Sequence, residues 1–259
     1  MIDLPDSSTF AAVAADRRFL AVAAISALSG LVRGFSGFGS ALIYVPLTAA
    51  VYDPRVAAAS FLLIDLATGL AFAFGVWRQA QWREVLPMVA AALVAAQFGT
   101  LILQYADPVL LRWGIALFIA LLLPVLMSGW RYHGRPLLIV TIMVGLLAGT
   151  FGGAIQVSGP PIILYWLGSM HEPAVLRANF ICYFAIFAAG SIVTYVAHGL
   201  FTAPVIALAL MAGPLHIFSM WLGSRIFRFA SEGTYRRIAY AIIAAAALAS
   251  MPLFDRFLR

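Results

Sequence analysis

The sequence predicts an all-α, polytopic membrane protein. About eight hydrophobic segments form two inverted repeats, each a broken or re-entrant helix followed by three transmembrane helices. Three observations carry this reading. First, 64% of the 259 residues are hydrophobic and 10% are charged, whereas a soluble domain has about 25% charged residues and about half apolar ones. So few charges do not cover a water-facing surface. Second, the apolar residues stand in long runs instead of amphipathic stripes. Third, two of these runs match each other in sequence.

The runs cover residues 19–52, 56–77, 85–105, 109–129, 137–170, 175–197, 202–223 and 237–254. Six have lengths near the ~20 residues that cross a ~30 Å hydrocarbon layer at about 1.5 Å per residue. The connections, such as Asp53-Pro54-Arg55, Asp107-Pro108 and His171-Glu172-Pro173, are short. They leave one membrane domain, 1–259. Runs 19–52 and 137–170 are anomalous, because one straight helix of either length would reach about 50 Å. Both are interrupted by glycine, at Gly34, Gly37 and Gly39, and at Gly149, Gly152 and Gly153. The economical reading is helix–break–helix, with halves of about fifteen residues. The expected break positions are Gly34 and Pro46 in the first run, and Gly149, Pro160 and Pro161 in the second.

The two anomalous runs align. Gly30-Leu-Val-Arg-Gly34 lies over Gly145-Leu-Leu-Ala-Gly149, an offset of 115, which places Gly37 on Gly152 and Pro46 on Pro161. After four inserted residues, Asp53-Pro54 lies over Glu172-Pro173 and Ser60 over Asn179. Each run precedes three ordinary spans, so repeat 1 covers about 19–129 and repeat 2 about 137–254. If both broken elements are re-entrant, Arg78, Arg83, Arg131, Arg135, Arg177, Arg225, Arg228, Arg236 and Arg237 share one side. That is the asymmetry the positive-inside rule prefers. The halves are then inverted, with both termini periplasmic. Full crossing of both elements divides the arginines evenly.

Net charge is +6 with no lysine, and the sixteen basic residues are arginines set singly or in pairs between apolar runs. They read as anchors to membrane lipids. No basic patch with interleaved aromatics points to nucleic acid. Asp3 and Asp6 do not suit a secretory leader. Cys182 reads as a small buried hydrophobe, and no Cys/His spacing implies a metal. No cofactor is expected. The expected location is a bacterial inner membrane, with a homodimer as one candidate assembly.

A helix broken at membrane depth frees backbone groups that lipid does not satisfy, so the break must line a protein cavity. The N–H groups at a half-helix N-terminus carry partial positive charge and suit an anion. Paired breaks in two repeats are therefore pointers to the central site of a transporter. The expected binding residues are Arg33, Ser36, Gly37, Phe38, Gly39 and Ser40 at the first break. At the second they are Gly152, Gly153, Gln156, Ser158 and Gly159, with Arg177 and Asn179 on the following span. Arg33 lies deep in an apolar run, where an arginine costs roughly 2.5–3.5 kcal/mol to insert. Its guanidinium fork suits an oxyanion. Asp65 is expected to neutralise Arg33 or to carry a proton; a coupling proton or cation is a further expected partner. His198 and His216 read as structural.

At these residues the chain resembles the sulfite exporter TauE/SafE family, also called the toluene sulfonate uptake permease family. The resemblance rests on Gly34-Phe-Ser-Gly-Phe-Gly-Ser-Ala-Leu-Ile-Tyr-Val-Pro46 and Gly149-Thr-Phe-Gly-Gly-Ala-Ile-Gln-Val-Ser-Gly-Pro-Pro161. It implies a permease that moves sulfite, sulfonates or related anions, often outward. The paired breaks themselves lead to the expectation of alternating access, with the anion held between the two glycine-rich breaks. Phe38 and Ser40 depart from it, standing where the family often has glycine. An anion channel is one alternative. An intramembrane serine protease using Ser36 within Gly34-Phe-Ser36-Gly37, with His216 as base, is another.

Overall fold

The computed structural model of the chain describes residues 4–36, 39–130, 132, 137–168, 172–226 and 232–254, and among them every regular element is helical. The helices are α1 (Ser7–Ala15), α2 (Arg17–Ser36), α3 (Ser40–Val51), α4 (Pro54–Val76), α5 (Trp82–Tyr105), α6 (Pro108–Ser128), α7 (Leu138–Ile155), α8 (Gly159–Trp166), α9 (Pro173–Ala197), α10 (Ala203–Ile226) and α11 (Glu232–Ala249). Local sequence explains the starts. The carboxylate of Asp53 accepts from the Arg55 N–H at 2.7 Å, and that of Asp107 accepts from the N–H of Val109 at 2.8 Å. In both, proline takes the first helical position, where its missing N–H costs nothing. Among the described residues, five helices are long and apolar enough to cross a membrane: α5, α6, α7, α9 (from Ala174) and α10 (to Arg225). The 20-residue α2 also reaches about 30 Å. The chain is a multi-pass membrane protein.

The chain divides into two compact units. The first takes Met1–Ile64, Ala106–Pro124 and Gly199–Arg259; the second takes Asp65–Tyr105 and Val125–His198. Each unit has the same kind of centre, a parallel helix pair drawn from distant parts of the chain. In the first unit α2 packs along α10. The Ser26 hydroxyl donates to the Ala212 carbonyl at 2.9 Å. One turn on, a Cβ at Gly30 would collide with the His216 carbonyl, and another turn on, a Cβ at Gly34 with that of Met220. In the second unit α7 packs along α5, and a Cβ at Gly145, Gly149 or Gly153 would collide with the carbonyl of Met88, Ala92 or Ala96. The glycines that align at an offset of 115 thus do one job twice. They remove the side chain so that two backbones touch, the usual device where lipid is as apolar as leucine.

Both anomalous runs are hairpins. At the open end of the first, the Tyr52 hydroxyl, just past α3, donates to Asp16 Oδ2 at 3.0 Å, and the Arg18 guanidinium lies over the Tyr52 ring, 4.5 Å from its centroid. At the closed end, Arg33 near the end of α2 donates to the Ser40 hydroxyl that starts α3, at 3.3 Å. Partners at both ends make α2 and α3 antiparallel. In the second hairpin, Thr141 Oγ1 in the first turn of α7 meets the Tyr165 hydroxyl near the end of α8 at 2.7 Å. The Tyr132 N–H, ahead of α7, donates to the Leu164 carbonyl at 3.0 Å.

These geometries correct the expected halves and break positions. The arms are unequal, with 20 and 12 residues in the first hairpin and 18 and 8 in the second. The first break falls after Ser36, the second at Gln156 to Ser158. Gly34, Pro46 and Gly149, expected at the breaks, lie inside α2, α3 and α7. The physical reason is that Gly34 and Gly149 serve helix contact, which keeps their own helices intact. Pro160 and Pro161 do stand at a break, opening α8.

Candidate functional site: the two hairpin tips

The first tip brings a cation to a helix N-terminus. Gly39 precedes α3 with φ of 91°, the left-handed region where a side chain would be strained. That turn aims the N-terminus of α3 at the tip. Its first residues, Ser40, Ala41 and Leu42, all carry an N–H that no intrahelical carbonyl can accept. Arg33 reaches over from α2 and donates to Ser40 Oγ. Ser40 is buried, and Arg33 and Gly39 are partly so. Fixed donors and a guanidinium in one place are what an oxyanion needs. Ser36 closes α2, but its side chain, with Gly37 and Phe38, lies outside the described residues.

The second tip is built from neutral groups that satisfy one another. Gln156 ends α7 with φ of 56°, a left-handed conformation that only glycine adopts without strain. Its N–H donates to the Gly152 carbonyl, and its Nε2 donates to the Tyr195 hydroxyl at 2.9 Å. Tyr195 in turn donates to the Gly153 carbonyl at 2.8 Å. Ser158 is buried. A Cβ at Gly152 would strike the Phe187 ring, and one at Gly159 would touch Phe184. With prolines at the second and third positions of α8, only Gly159 among the first three residues offers an N–H.

Three expected site residues sit elsewhere. Asn179 accepts the Gln81 N–H on its Oδ1 at 2.7 Å. Gln81 precedes α5, whose Glu84 accepts from the Trp166 indole at the far end of α8 at 3.0 Å. Asn179 therefore stands at the open end of the second hairpin, where it holds the turn into α5. Arg177, two residues earlier, is exposed. Neither joins Gln156 and Ser158, because α9 starts at the open end and reaches the tip only with Tyr183, Phe187 and Tyr195. Asp65 begins the part of α4 that belongs to the second unit, whereas Arg33 belongs to the first. Cys182 is a free thiol in a core of Trp166, Tyr183 and Phe187, as expected of a small hydrophobe. Tyr195 was not singled out from sequence. Its signal is the four-residue spacing Tyr183, Phe187, Ser191, Tyr195 on α9.

With this geometry in view, the profile of the family described as Sulfite exporter TauE/SafE matches residues 22–250. The chain belongs to the sulfite exporter TauE/SafE family. Its match begins inside α2 and runs past the end of α11, taking in most of the first hairpin and all of the second. The chain is also similar to a protein of Cupriavidus necator named as a probable sulfite/organosulfonate exporter TauE. The two are 26% identical over 222 residues, which cover 80% of this chain and 84% of the relative. No solved structure matches. Family membership makes this TauE/SafE chain a membrane transporter and not an enzyme, which removes the protease reading of Ser36.

Proposed function

We propose that this protein exports sulfite or a small organosulfonate across a bacterial inner membrane by alternating access. The observation that carries the reading is the Arg33–Ser40 contact at the N-terminus of α3. It gives a guanidinium and fixed backbone donors at the tip of a membrane hairpin, in a family whose curated relative is named for sulfur oxyanions. A sulfonate or sulfite presents three oxygens and a negative charge, which a guanidinium fork and adjacent N–H groups bind by charge-assisted hydrogen bonds. The tip of the first hairpin is the surface that holds and releases the anion. The aligned runs of the sequence support two re-entrant elements of opposite sense, one in each repeat. The arginine bias then puts the open end of the first hairpin on the periplasmic side.

The test is uptake into proteoliposomes of radiolabelled sulfite, a sulfonate, a carboxylate and phosphate. Saturable flux of the sulfur anions, lost in Arg33→Ala and partly kept in Arg33→Lys, is expected. Equal flux of all four anions, or an Arg33→Ala variant that transports like the parent, overturns the reading. Flux that rises linearly without saturation identifies a channel.

A further inference from the structure

His216 lies near the middle of α10 and is fully buried. Its surroundings leave the ring one hydrogen bond short. Nδ1 is 3.2 Å from Ser29 Oγ on α2. That hydroxyl has a single hydrogen, and it is 3.0 Å from the Ser26 carbonyl, to which it donates. Nδ1 must then carry the hydrogen and donate to Ser29, a tautomer assigned from the network. Nε2 is left as a bare lone pair, and it has no hydrogen-bond partner. A buried acceptor without a partner is costly, and packing alone does not require one: a leucine would fill the same space beside Phe61, whose ring meets the imidazole edge to face at 6.4 Å.

The charged surroundings are simple. On α2, Arg33 stands one turn beyond Ser29 on the same face, and its charge acts on the ring. From α4 the neighbour is Phe61, with Asp65 the next ionisable residue along that helix. Helix α1 also packs on α10 and has no ionisable side chain within Ser7–Ala15. On α10 itself Arg225 is at the far end. Burial of the ring and, among these charged groups, Arg33 oppose a proton on Nε2. An anion bound to Arg33 cancels the part due to that charge.

We propose that His216 is a proton-binding site linked to occupancy of Arg33, so that the protein takes up its anion together with one proton. The proposal rests on Arg33 being the anion site. Linkage is reciprocal: an anion raises the proton affinity of His216, and the proton raises the anion affinity by the same factor, about 5- to 150-fold for a coupling of ordinary size. The proton comes from water through the open state and leaves with the anion.

The probe is methanesulfonate, whose charge does not change across the range used. Sulfite is unsuitable because it titrates near neutrality. Titration calorimetry of the purified protein in buffers of different ionisation heat, between about pH 5 and 8, counts protons without any variant. Net uptake approaching one proton per anion is expected, with affinity falling as pH rises by up to about tenfold per unit. No uptake at any pH overturns the proposal. His216→Asn, which keeps a donor toward Ser29 and lacks Nε2, is expected to bind with a pH-independent affinity and no uptake. Parent-like uptake in this variant also overturns it. Ser29→Ala is expected to move the midpoint of the pH profile while leaving a proton taken up. An Arg33→Ala variant that binds like the parent disproves the anion reading, whereas loss of binding in Arg33→Ala with parent-like uptake in His216→Asn disproves only the proton site.

Discussion

The two hairpins come from runs that align residue for residue, yet their tips hold opposite kinds of chemistry. The first carries a guanidinium, a serine hydroxyl and the N-terminus of a helix. The second spends its polar groups on itself: Gln156 on Tyr195, Tyr195 on Gly153, and two prolines where N–H groups would stand. Their frames, by contrast, are the same, since each long arm lies backbone to backbone on a parallel helix through glycines. The difference teaches that a duplicated glycine pattern specifies a packing frame, and that the residues beside it decide which copy holds charge.

The contrast is most directly broken at Arg33. Arg33→Ala is expected to weaken sulfonate binding by about 100-fold or more, the worth of a pair of charge-assisted hydrogen bonds, while Tyr195→Phe changes affinity less than about threefold. Calorimetry on both variants checks this, and equal losses would erase the distinction between the tips. The shared frame is tested by Gly34→Leu and Gly149→Leu. Each forces two backbones apart and should cost about 1–3 kcal/mol or more, lowering the melting temperature of both variants alike. A loss confined to one would show that only one pair is tightly packed. Tyr195→Phe should also cost about 1–2 kcal/mol, because it strands the Gln156 amide and the Gly153 carbonyl, as thermal unfolding would show.

The smallest effect concerns the open ends. The Arg18 hydrogen bond holds the Asp16 carboxyl down at about 2, from an ordinary value of 3.8. A depressed carboxylate stabilises above its unfolded value and loses that contribution as pH falls from about 4 through about 2. Asp16 is only partly buried and its partner Arg18 is exposed, so solvent screens the pair and the effect on stability is small. Melting temperatures of the parent and Asp16→Asn should differ slightly at neutral pH and converge toward pH 2. The neutral Thr141–Tyr165 rung of the second hairpin predicts no such convergence for Thr141→Val.

Most of the frame was legible in the residues. Run lengths set the helices, Asp-Pro pairs set their starts, and a 115-residue offset revealed two like elements. Arg33 and Ser40 could be singled out because an arginine and a broken helix are each expensive in an apolar run. The equal halves could not be right, since Gly34 and Gly149 look like breaks in sequence and only their partners on α10 and α5 show them to be contacts. Asn179 was misplaced because a one-dimensional alignment does not say which end of a hairpin the next helix starts from.

By itself, then, the sequence determined the class, the helices and the places where backbone geometry must change, because these follow from local hydrophobicity, glycine and proline. The tertiary structure alone decided which glycines touch and which polar groups at the second tip satisfy one another. It also left the Nε2 of His216 bare. Those outcomes depend on pairings across 186 residues, as between Gly30 and His216, and no local propensity encodes a partner at that distance.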